Sequence, residues 1–94
     1  PDGDGVDDIL NIRYQLPFEQ AAITINIFDA TGRKISTPYW NRASSQEGLL
    51  YWNGLRSNGK PARIGIYILK FEARNGSSGR IWEDIQTVVL AKPL

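Results

Sequence analysis

The chain has 94 residues, enough for one small domain and too few for two. Eleven basic against ten acidic side chains leave a net charge of +1. That is too little to hold nucleic acid or an anionic membrane by long-range attraction. His and Cys are both absent, which excludes His-dependent triads, zinc or haem ligation through His or Cys, Cys nucleophiles and disulfides.

The chain opens on Pro1-Asp2-Gly3-Asp4-Gly5, in the middle of a motif and without Met. It is therefore expected to be a piece of a longer protein. No apolar run approaches the ~18 residues of a spanning helix, so no membrane span is expected. The dominant period along the chain is two. Leu10, Ile12, Tyr14 and Leu16 alternate with Asn11, Arg13 and Gln15, and Pro17 is expected to end that strand because it cannot donate to a ladder. Ile23, Ile25 and Ile27 alternate with Thr24, Asn26 and Phe28. Asp29-Ala30-Thr31-Gly32 then reads as a tight turn, and Arg33 to Thr37 as a short return strand.

Residues 38–47 are polar and rich in turn formers, and read as a loop. Leu49 to Trp52 is a short strand, with Trp52 on the Leu50 face as the candidate core tryptophan. Residues 53–63 carry Asn-Gly and Asn-x-Gly signals and a Pro, and read as a long loop. In the next strand, Gly65 to Ala73, Tyr67, Leu69, Phe71 and Ala73 share one face. Residues 75–79 connect it to a last strand, Ile81 to Ala91, whose alternation breaks at Val88-Val89-Leu90. A bulge, or burial on both faces, is expected there. Six or seven short strands without a helix predict an all-β fold, an antiparallel immunoglobulin-like β-sandwich.

Three constellations carry chemistry. Asp2, Asp4 and Asp8, with Asp7, surround Gly3 and Gly5. Several carboxylates on a sharply turned loop suit calcium, but Asn11 stands where a bidentate Glu would sit. The alternative is a solvated turn leading into the first strand. Tyr39 and Trp40 sit in a polar segment, and with Tyr51, Trp52 and Trp82 they offer a sugar-stacking platform. The alternative is that most of these rings fill the core. Ser44-Ser45 and Ser77-Ser78 have no His to activate them and read as turn residues, so an enzyme is not expected.

Four segments, in order, resemble a known family. PDGDGVDDILNIRYQLP is similar to the opening of C-terminal domains of secreted Bacteroidetes proteins. ITINIFDATGRKI resembles their following hairpin, and EGLLYWNGLRSNGKPARIGIYILKFEA their Trp-Gly and Gly-x-Tyr segment. TVVLAK resembles their terminal strand. The hairpin, Trp and Gly-x-Tyr elements also resemble the immunoglobulin-like domain of flagellar hook-capping proteins. The resemblance covers essentially the whole chain. It implies a type IX secretion signal domain, recognised in the periplasm by an outer-membrane translocon and its shuttle protein. A surface sortase would then remove the domain while the parent, for instance a cysteine protease or an adhesin, is displayed at the cell surface. By the same resemblance, recognition maps to Gly65 and Tyr67 and to Val88, Val89, Leu90, Ala91 and Lys92, with Gly32 and Arg33 in the family turn. The chain continues past Lys92 with Pro93-Leu94, where the family often stops at or just after the basic residue. An exposed sheet edge also makes a homodimer an expectation.

Overall fold

A computed structural model describes residues 10–90. Among these residues there is no helix, and one antiparallel sheet holds four strands: β1 (Leu10–Asp29), β2 (Lys34–Trp52), β3 (Gly65–Arg74) and β4 (Ile81–Leu90). Their order across the sheet is β2-β1-β3-β4.

Four strands replace the six or seven expected because β1 and β2 are each double length. Residues 10–15 of β1 pair with the end of β2, from Leu10↔Trp52 to Gln15↔Glu47. Pairing resumes at Gln20↔Ser45 and runs to Phe28↔Lys34. Four residues of β1, 16–19, thus stand against Gln46 alone. Pro17 interrupts the ladder but does not end the strand, since a residue without an N–H is accommodated where the chain bulges. The Gln46 side-chain amide spans the interruption, donating to the Leu16 carbonyl at 3.3 Å. Residues 38–47, expected as a loop, lie within β2. The expected bulge at Val88-Val89-Leu90 is also absent: the β3–β4 register is unbroken from Gly65↔Leu90 to Arg74↔Ile81.

The interruption at residues 16–19 lets the long hairpin fold over its own sheet. Tyr14, before the break, lies 5.5 Å from Phe71 of β3, ring centroid to centroid. Trp52, at the end of β2 and opposite Leu10, meets Tyr67 edge-on at 5.8 Å. Between these layers lie Ile23, Ile25 and Ile27, fully buried, with Leu69, Phe71 and Ala73 beside them and Ile12, Leu50 and Trp52 above. Burying one such aliphatic side chain stabilises the fold by roughly 1.5–3 kcal/mol. The long connection 53–64 is tied down: Ser57 N–H donates to the Ile35 carbonyl at 2.9 Å and Ala62 N–H to that of Gly54 at 2.8 Å.

The β1–β2 turn closes as its residues dictate. Gly32 takes φ 90°, which a side chain would resist. Asp29 Oδ1 accepts from the Thr31 hydroxyl at 2.6 Å, from Arg33 N–H at 2.9 Å and from Thr31 N–H at 3.0 Å. The Thr31 hydroxyl first, then the Arg33 N–H, hold the Asp29 carboxyl below its ordinary pKa. A pKa depressed in the folded state adds stability above the unfolded value, and that stability is lost as pH falls through the folded value. The stability difference between wild type and Asp29→Asn is therefore expected to shrink as pH drops below about 4. Urea unfolding across that range checks this; a difference that holds constant into acid would count against the carboxylate's role.

Candidate functional site

The sheet register gathers the residues singled out in the sequence at one end of the molecule. Gly65 pairs with Leu90, Ile66 with Val89 and Tyr67 with Val88. On the other side of β3, Tyr67 pairs with Asp29, the first residue of the turn that holds Gly32 and Arg33. Three segments far apart in the chain thus share one end of the sheet. Ala91 and Lys92 follow Leu90 and lie outside the described residues, as do Asp2, Asp4 and Asp8 of the calcium motif.

The side chains at this end divide sharply by face. Tyr67 is buried, its hydroxyl donates to the Arg63 carbonyl at 2.6 Å, and its ring stands against Trp52. It is a core residue that orients the start of β3, and its ring is not offered to a partner. Leu90 is buried and Val88 is half-buried against the core. Val89 points the other way and is 68% exposed; beside it Ile66 is 54% exposed. Half-buried Phe28 and Ile68, cross-strand partners, extend this outward face toward the centre of the sheet. Exposed β-branched side chains on neighbouring strands are the kind of surface that a partner covers. Ile66 lies inside the Gly65-Ile66-Tyr67 element that the resemblance implies, and its register against Val89 sets the two exposed side chains together.

The aromatic constellation does not assemble as one platform. Trp52 is buried, and Trp82 packs edge-on against Phe71 at 5.6 Å. Tyr39 is half-buried, covered by the Arg42 guanidinium at 5.2 Å from its ring centre, and its oxygen accepts the Tyr51 N–H at 3.0 Å. Tyr51 is 50% exposed, and Trp40 stands out furthest, 75% exposed. The cause is local: the ladder steps from Ile23↔Arg42 to Ile25↔Tyr39, so Trp40 and Asn41 together face Thr24. Asn41 takes φ 51°, and its N–H bonds the Thr24 hydroxyl at 3.0 Å. Such a bulge redirects the side chain beside it.

The serines hold turns and strands. Ser78 is hydrogen-bonded to Asn75 through both N–H and hydroxyl, and Ser44 hydrogen-bonds with the Tyr14 hydroxyl. Among the described residues no group of three or more His, Cys, Asp or Glu side chains is placed to hold a metal ion. No helix there is long and apolar enough to cross a membrane. No family model matches the chain, and neither a curated protein nor a solved structure matches it.

Proposed function

We propose that this chain is a targeting domain, a C-terminal secretion signal of the type IX kind, recognised as a folded unit by an outer-membrane translocon. One observation carries the reading: the Gly32-Arg33 turn, Gly65 to Tyr67 and Val88 to Leu90, the segments that the resemblance singles out, meet at one end of the sheet. That end presents Ile66 and Val89 outward, next to the strand that leads into Ala91 and Lys92. A receptor can read the outer side of β4 at that end by pairing with its backbone and seating alternate side chains in pockets. The shuttle protein and sortase are the further partners that this reading brings. The parent's route is through the periplasm to the outer-membrane surface. The fold part of the proposal is an immunoglobulin-like sandwich. Its support is the division of β1 and β2 at residues 16–19 and at Gln46, which yields six strand segments in two packed layers.

The test fuses residues 1–94 to an inert periplasmic reporter in a Bacteroidetes host. The whole domain is expected to bring the reporter to the cell surface, and removal of the last five residues to hold it in the periplasm. Ile66→Ser with Val89→Ser is expected to reduce surface display while leaving the fold intact, since exposed substitutions usually change stability by no more than about 0.5 kcal/mol. Folded fusions that all remain in the periplasm would sink the signal reading. A second reading is favoured by the exposure of Trp40: a glycan-binding module of a surface protein. It requires glycan binding that Trp40→Ala abolishes.

A further inference from the structure

The two edges of the sheet are built differently. The β2 edge is broken: its ladder to β1 shifts register four times, and it carries Pro38 and the left-handed Asn41. Such features stop another strand from docking. The β4 edge has none of them. Its register with β3 is continuous over all ten residues, it contains no Pro, Lys or Gly, and among the described residues no strand pairs with its outer side. Its guards are the charges of Glu83 and Asp84 alone, and a long, regular edge is otherwise a template for one more strand.

The sequence of β4 says which strand fits. Directly opposed residues in an antiparallel pair point to the same face, so two copies related by a two-fold axis normal to the sheet can meet only with a residue on the axis. With Ile85 on the axis, Ile81 faces Val89, Trp82 faces Val88, Glu83 faces Thr87 and Asp84 faces Gln86. Every opposed pair is then apolar with apolar, or acid with hydrogen-bond donor. Asp84 and Gln86 already show that match within one strand, where the amide donates to the carboxylate at 2.8 Å. Neighbouring registers fail. An axis at Glu83 or Asp84 sets like carboxylates against each other, and an axis at Gln86 sets Glu83 against Val89 and Asp84 against Val88. On the outward face, Ile81, Ile85 and Val89, 48, 64 and 68% exposed, would meet as apolar pairs separated by the Glu83–Thr87 pairs.

We infer that β4 is a self-complementary edge, and that a second copy of this chain pairs with it antiparallel, Ile85 against Ile85, to make one continuous eight-stranded sheet. The interface is a single strand pair and hence small, so the dimer is weak, its fraction rising between about 10 µM and 1 mM. This inference does not rest on the secretion reading, but it claims the same β4 edge, so a second copy and a receptor would exclude each other there.

Sedimentation equilibrium of the 1–94 chain tests it. Ile85→Glu is benign within one copy, where position 85 faces Lys70, but it sets two carboxylates against each other on the axis. It is expected to weaken the dimer several-fold, since it removes an apolar pair and adds a like-charge pair on the axis. Thr87→Lys sets an ammonium against Glu83 of the second copy, twice by symmetry, and is expected to tighten the dimer about fivefold at low salt. In any other register, position 87 does not face Glu83. Urea unfolding of each variant, near wild type, confirms that the fold is kept. A chain that stays monomeric at about 1 mM would overturn the inference and leave the edge to a strand of another protein. A dimer indifferent to both substitutions would overturn it as well, placing the contact elsewhere.

Discussion

Trp52→Ala is expected to cost about 3–5 kcal/mol of folding stability, the range for truncating a large buried aromatic. Trp52 is the largest fully buried side chain, 1% exposed, and it joins three parts of the molecule. It ends β2, pairing with Leu10. Its indole N–H donates to the Leu55 carbonyl at 3.0 Å, which anchors the start of the long connection. Its ring meets Tyr67 at the start of β3. Truncation leaves a cavity, an unpartnered carbonyl and a Tyr67 ring packed on nothing. A domain of this size holds roughly 5–14 kcal/mol in total, so the variant loses a large fraction of its stability. Trp52→Phe keeps an aromatic edge but loses the hydrogen bond, and should fall between. Trp40→Ala serves as the control and should stay within about 0.5 kcal/mol of wild type, because Trp40 is three-quarters exposed. Urea unfolding followed by far-UV circular dichroism decides the matter. A Trp52→Ala cost under about 1 kcal/mol would mean that the two layers are not joined through this ring.

The same prediction bears on function. Tyr67 and the connection 53–64 deliver the backbone of β3 to Gly65 and Ile66, at the end where the candidate recognition residues meet. Loss of Trp52 should therefore abolish surface display by unfolding that end, whereas Ile66→Ser with Val89→Ser should reduce it without unfolding. Measured together, the two variants separate a residue that builds the edge from residues that present it.

What could be read in advance follows from where alternation meets burial. Ile23, Ile25 and Ile27, and Tyr67, Leu69, Phe71 and Ala73, lie on strands with one dry face, so period two named the core residues directly. The Asp29 to Gly32 turn was legible because its chemistry is local: a carboxylate that caps two N–H groups and a glycine that accepts positive φ. Residues 38–47 were not legible as strand. They form an edge exposed over much of its length, so no apolar rhythm marks it, and turn-forming residues there bend a strand instead of ending one. The fold of the sheet on itself was hidden for a related reason. Pro17 signals an interruption, but only the register shows that Gln46 spans it and the strand continues beyond. At the candidate site, Gly65, Tyr67 and Val88 to Leu90 could be picked out as segments. Their meeting with the Gly32 turn depends on strand order β2-β1-β3, which no local pattern encodes.

A second large effect is expected at Gly48, where a usually favourable change should reverse sign. Replacing glycine by alanine within a strand ordinarily stabilises, by roughly 0.5–1 kcal/mol, because it lowers the entropy of the unfolded chain. Here Gly48 is the cross-strand partner of Tyr14, and the phenol ring lies over the glycine backbone. A Cβ at position 48 would stand 2.8 Å from Cζ and 3.1 Å from Cε1 of that ring. The ring cannot step aside freely: it packs against Phe71 on its other side, and its hydroxyl is hydrogen-bonded to Ser44. Gly48→Ala should therefore destabilise by about 1–3 kcal/mol, the cost of overpacking. The diagnostic measurement is a double-mutant cycle. With Tyr14→Ala as the background the obstacle is gone, and Gly48→Ala should now stabilise by about 0.5–1 kcal/mol. The coupling between the two positions would then be about 1.5–4 kcal/mol, far above what residues without contact show. If Gly48→Ala has the same effect in both backgrounds, the Tyr14 ring does not cover the glycine. The fold of the long hairpin over β3, which depends on Tyr14 reaching Phe71, would then have to be drawn differently.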